Sequence, residues 1–105
     1  MSDAGFDFRL EGSVTFANLL ALRGAGEAAI AAAGDRVRVD LSPLEAGNSL
    51  AVALLMTWFR TAEHAGKSVS FAGAPDDLER IIGLYGVDDV LPLAAADRRP
   101  QEAVK

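Results

Sequence analysis

Ser49 is the one residue of this chain whose type and setting invite chemistry. It lies where the polar pair Asn48-Ser49 gives way to the apolar run Leu50-Ala51-Val52-Ala53-Leu54-Leu55. A hydroxyl at such a helix start sits among unpaired backbone amides and the positive end of the helix dipole. It can cap the helix, accept a phosphate or meet a partner, and as a nucleophile it would need a base. The sole histidine, His64, is about four helical turns further on, beyond hydrogen-bond reach along a straight helix. His64 therefore reads as a solvated helix residue, and no catalytic residues are expected.

Other chemistries fail on composition. With one histidine and no cysteine, a metal site would have to be built from carboxylates, and Asp76-Asp77 and Asp88-Asp89 read better as helix-start and turn acids. A G-x-x-x-x-G-K-S/T phosphate loop is missing, so no nucleotide cofactor is expected, and no metal. The acids fall in polar turns and on helix faces rather than in a pocket, which argues against a paired-carboxylate hydrolase. These exclusions favour a binding module over an enzyme.

The elements that position Ser49 follow from periodicity. Phe6-Asp7-Phe8-Arg9-Leu10 alternates apolar and polar, Glu11-Gly12 turns, and Ser13-Val14-Thr15-Phe16 offers a second strand, an expected opening hairpin. From Asn18 a helical repeat runs through Leu19, Leu20, Leu22, Ala25, Ala28, Ala29 and Ile30, weakened by Gly24 and Gly26. After Gly34, Arg36-Val37-Arg38-Val39-Asp40-Leu41 is expected as a central strand. The loop Ser42 to Asn48, with Pro43 and Gly47, then delivers the chain to Ser49. A helix from Ser49 to Ala65 turns Ala51, Leu54, Leu55, Trp58, Ala62 and Ala65 to the core, with Gly66 as its stop. Trp58 is expected in the core, its indole nitrogen within reach of the surface. Lys67 to Ala72 alternates as a strand, and strand, helix, strand in that order implies a parallel crossover. A helix starts at Pro75-Asp76-Asp77 and ends near Gly86. Val87 to Leu93 is a fifth strand or a last helical turn. The domain is read as residues 6–93, with a loose tail over 94–105.

Bulk properties narrow the partners. The chain has 105 residues, half of them apolar, and a net charge of −5. That is one domain, with apolar surface to spare for a protein partner. The acidic balance and the lack of a Lys/Arg block argue against nucleic acid and against an electrostatic membrane anchor. The longest apolar run, Leu50 to Phe59, is about half the length of a membrane span, so no direct membrane insertion is expected. The first residues lack a secretion signal, and a cytoplasmic location is expected.

The ordered set of strand, Asp40-Leu41-Ser42, loop, Asn48-Ser49-Leu50-Ala51-Val52 opening an apolar helix, strand, and Gly73-Ala74-Pro75 before an acidic helix resembles the STAS domain of anti-sigma-factor antagonists. Within that group, Leu54 to Arg60, Leu84-Tyr85-Gly86-Val87 and Leu91-Pro92-Leu93 look most like the Mla-type phospholipid-transport subunit. The resemblance implies an α/β fold: a small mixed β-sheet of four to five strands with about three to four helices packed mainly on one face. It implies a cytoplasmic protein, held to the inner membrane through its complex, that binds and regulates or stabilises an ABC transporter ATPase maintaining outer-membrane lipid asymmetry. The alternative it implies is an anti-sigma-factor antagonist whose Ser49 is phosphorylated by an anti-sigma kinase. Two positions depart from the family pattern, Asn48 for aspartate and Ala51 for glycine, and both tilt the reading away from the phosphorylation switch. The expected docking surface is Asn48, Ser49, Leu50, Ala53, Met56 and Arg60. Direct lipid binding is not expected, because so small a domain offers no large apolar pocket.

Overall fold

The computed structural model describes residues 5–45, 47–87 and 89–94. Its elements run β1 (Phe8–Arg9), α1 (Leu19–Ala32), β2 (Arg36–Asp40), α2 (Ser49–His64), β3 (Ser68–Ala72), α3 (Asp76–Leu84) and β4 (Leu93–Ala94). The strands lie in the sheet in sequence order, and every described pair is parallel. The two outer strands contribute two residues each. In β2 the valines at 37 and 39 are buried while Arg36 and Arg38 are exposed, and β3 likewise buries Val69 and Phe71. These four join Ile30, Leu54, Leu55, Trp58, Leu78 and Ile82 in one cluster, so the helices cover a single face of the sheet.

The opening hairpin does not form, and among the described strands the sheet is parallel rather than mixed. The edge of β2 captures the first segment instead: Asp7 N–H donates to the Arg38 carbonyl (2.8 Å), and the Asp7 carboxylate accepts the Arg38 N–H (2.8 Å). Residues 13–18 then serve the loops. Asn18 closes a turn by accepting the Thr15 N–H (2.8 Å) and donating to the Ser13 carbonyl (2.8 Å). The alternation of Ser13 to Phe16 survives only as a buried Val14. Period two in so short a segment does not say which strand will pair with it. Near the other end, Ala94 pairs with Ala72 in β4, and the rest of the expected tail, 95–105, lies outside the described residues.

Trp58 is where three elements meet. Its indole is fully buried, stands edge-on to Phe8 of β1 (5.3 Å between centroids, 77°), and donates its N–H to the Arg23 carbonyl of α1 (3.2 Å). The nitrogen is thus satisfied inside the protein rather than at its surface. The ring lies directly on Gly26, where a Cβ would overlap its six-membered edge and its nitrogen. Gly26, a weakness by helix propensity, is what lets α1 and α2 approach.

The C-terminal end of α1 is held from outside. Lys67, just before β3, places its ammonium on the carbonyls of Ile30 (2.7 Å), Ala31 (3.2 Å) and Ala33 (2.7 Å). A cation on these C-terminal carbonyls offsets the negative end of the helix.

Two glycines of one helix should therefore respond in opposite directions. Gly26→Ala must displace the indole and should cost about 1–3 kcal/mol. Gly24→Ala meets nothing within 4 Å and should gain roughly 0.5–1 kcal/mol from helix propensity. Urea denaturation midpoints at constant slope measure both.

Candidate functional site

The start of α2 is held by Gly47 and Asn48. Gly47 packs so closely on α3 that a Cβ would strike the Leu78 backbone, and its N–H donates to the Asp77 carboxylate (3.1 Å). Asn48, in extended conformation, is the N-cap: its Oδ1 accepts the Ala51 N–H (2.9 Å), while its Nδ2 donates to the Val14 carbonyl (3.0 Å). Upstream, Asp40 Oδ1 accepts both the N–H (3.0 Å) and the hydroxyl (2.7 Å) of Ser42 and so shapes the exit from β2. An asparagine can accept at the cap and donate to a carbonyl at once, whereas an ionised aspartate has no donor. The departure from the family pattern at Asn48 thus has a structural reason. Ala51 is fully buried and helical, a position that needs no glycine.

With the cap assigned to Asn48, Ser49 becomes the first residue of α2 and is exposed. Among the described residues its hydroxyl has no hydrogen-bond partner. Ser49, Ala53, Met56 and Arg60 follow one another at four, three and four residues and share the outward line of the helix. Ala53 and Arg60 are exposed, whereas Met56 is half-buried and packs against the core. Leu50 lies about a quarter turn away from that line and is also half-buried on the core. The structure thus brings four of the six residues onto one strip, holds Asn48 beneath it as a brace, and sets Leu50 at its flank.

Two apolar side chains absent from the expected docking surface lie beside it, Leu20 on α1 and Phe16 in the turn before α1. Phe16 and Leu20 are 84% and 77% exposed. A groove of about 100 Å³ between α1 and α2 is lined by Leu19, Leu20, Arg23, Ala53, Leu54 and Thr57, so Leu20 and Ala53 share it. The local sign is the concentration of Phe16, Leu19 and Leu20 around Asn18, more apolar than the solvent side of a helix start needs to be. His64 is exposed in the last turn of α2, at the opposite end from Ser49. Among the described residues no group of three or more His, Asp or Glu side chains could hold a metal ion.

Residues 1–93 match the family described as Mlab, STAS domain. The chain belongs to the STAS domain family. A chain of the Acinetobacter MlaFEDB complex in its ATP-bound Vtrans2 conformation is 30% identical to this STAS domain, with a TM-score of 0.73 over 82% of this chain and 90% of that one. An anti-sigma factor antagonist from Mycobacterium paratuberculosis is 22% identical, with a TM-score of 0.68 over 87% of this chain and 81% of that one. The anti-sigma factor antagonist SpoIIAA in its unphosphorylated form is 14% identical, with a TM-score of 0.66 over 94% of this chain and 90% of that one. At those identities the two antagonists share the STAS fold with it. No curated protein sequence matches the chain significantly.

The double role of Asn48 ranks three substitutions. Asn48→Ala loses the cap and strands the Val14 carbonyl, and should cost about 2–3 kcal/mol. Asn48→Asp keeps the cap and loses only the donor, for roughly 1 kcal/mol. Ser49→Ala, at an exposed hydroxyl without a partner, should change stability by less than about 0.5 kcal/mol. Thermal or urea unfolding of the three variants measures the order.

Proposed function

We propose that this STAS domain is a non-catalytic subunit that binds the ATPase of a phospholipid-transporting ABC system and stabilises its competent arrangement. The observation that carries the proposal is the 30% identity, over 90% of its length, with a chain of the ATP-bound MlaFEDB complex. The site supports it physically. An outward strip of a hydroxyl, a methyl group and a thioether, ending in an arginine, beside a groove edged by Leu20, is suited to a flat protein contact with an apolar centre and a polar rim. No described helix is long and apolar enough to cross a membrane. In this reading the domain sits on the cytoplasmic side of the inner membrane through its partner and inserts nothing itself.

The contact surface proposed is Asn48, Ser49, Leu50, Ala53, Met56 and Arg60, extended by Leu20 of α1 and by Phe16 in the turn before it. The small residues let a partner approach the helix, and the exposed Leu20 and Phe16 supply the apolar area that a partner would cover.

A second reading is favoured by one observation, the exposed and unpartnered hydroxyl of Ser49 in the first turn of α2. A phosphate there would add about −1.5 to −2 charges at the positive end of the helix and repel an acidic or apolar partner surface. That is the geometry of a kinase-controlled switch, as in an anti-sigma-factor antagonist.

Affinity capture of the full chain from its native cells, with mass spectrometry of Ser49, separates the readings. Recovery of an ABC ATPase with unmodified Ser49 supports the transporter subunit; recovery of a kinase with phosphate on Ser49 supports the switch. For the transporter reading, Ser49→Glu, Met56→Glu and Leu20→Glu should each weaken ATPase binding by about tenfold or more, roughly 1.4 kcal/mol, while the isolated domain stays folded. Binding unchanged by all three would remove this face from the contact.

A further inference from the structure

Parallel sheets are ordinarily covered on both faces, and here the described helices cover one. On the other face the register of β2 and β3 sets Arg36 opposite Ser68 and Arg38 opposite Ser70. Strand alternation turns all four away from the core, into which Val37, Val39, Val69 and Phe71 point. They form a two-by-two array, with rows about 4.8 Å apart across the strands and roughly 6.6 Å apart along them. The array borders an open depression of about 380 Å³.

The chemistry of this lining is one-sided. Every side chain of the array is a hydrogen-bond donor, and no carboxylate lines the depression. Among the described residues Arg36 forms no ion pair. Arg38 is held in place, its Nη1 donating to the Gly5 carbonyl (3.1 Å) and its guanidinium 4.5 Å from the centre of the Phe6 ring, which leaves further N–H groups to spare. The adjacent acid, Asp7, is engaged with the Arg38 backbone N–H (2.8 Å). Two guanidinium donors on one strand, flanked by two hydroxyls on the next, suit a multi-oxygen anion, and in a chain of net charge −5 they stand out against the general surface.

We infer that the uncovered face of the sheet binds a phosphate group through Arg36, Arg38, Ser68 and Ser70. The site lies on the far side of the sheet from α2 and is independent of the partner contact proposed above. Phosphate chemistry has two sources, a soluble phosphorylated compound and a lipid headgroup, and both present the same oxygens to the array.

The test uses the full chain labelled with ¹⁵N. Titration with inorganic phosphate, against chloride at matched ionic strength, should give saturable amide shifts centred on residues 36–38 and 68–70. Co-sedimentation with phosphatidylglycerol vesicles, against phosphatidylcholine vesicles, reports the second source. Arg36→Gln with Arg38→Gln should weaken whichever binding is seen by about tenfold or more. Ser68→Ala with Ser70→Ala, a milder change, should weaken it less. Both pairs should keep the dispersed spectrum of the folded domain. Phosphate saturation without vesicle binding identifies a soluble ligand, and variant-sensitive binding to phosphatidylglycerol alone identifies a headgroup. Shifts that are absent or scattered, together with vesicle binding that is absent or indifferent to the variants, would overturn the site.

Discussion

The arrangement of this molecule depends on the seating of Trp58 against Gly26. The largest side chain of the core is carried by α2 and received by α1 at a residue with no side chain, and its edge meets Phe8 of β1. A ring in that position fixes how closely the two helices approach and how α2 lies on the sheet. Because the ring also donates to a carbonyl of α1, sliding one helix along the other would bury an unpaired indole nitrogen. The outward line of α2 is therefore set by packing on the opposite side of the same helix.

The second constraint acts at the end of that helix. Asn48 ties the first turn of α2 to the segment after β1, and Gly47 ties the preceding loop to α3. Together they hold Ser49 exposed at a fixed place, at the mouth of a braced loop. A contact surface gains from such bracing, since little ordering cost remains to be met on binding. The half-burial of Met56 and Leu50 works in the same direction: each is anchored on the core while part of it still faces outward.

Much of this was legible in the sequence. The helix beginning at Ser49, the core character of Leu54, Leu55 and Trp58, and the parallel crossover between the strands before and after it follow from period and punctuation, because these segments are long enough for the period to be unambiguous. Residues 6–16 keep the expected first strand, at Phe8–Arg9, but form no hairpin. Phe6 to Leu10 and Ser13 to Phe16 look like a hairpin by alternation, yet the partner of the first segment is β2, thirty residues away, and pairing at that range leaves no local trace. Gly26 was read as a weak point since propensity scores a residue alone, and its role exists only when Trp58 is beside it. The proposed contact surface is legible as a line on one helix; the exposure of Leu20 and Phe16 is not, because it depends on how α1 and the turn before it sit against α2.

The central claim is that the outward line of α2 meets an ATPase. The chain contains no cysteine, so a single introduced thiol is unique. Ala53→Cys, on the strip, and Tyr85→Cys, at the exposed end of α3, would each be carried in the full chain in its native cells and treated with a short thiol-to-amine crosslinker. The account predicts an ABC ATPase joined to the A53C chain and not to the Y85C chain. An ATPase joined equally through Tyr85→Cys, or joined through that position alone, would contradict it.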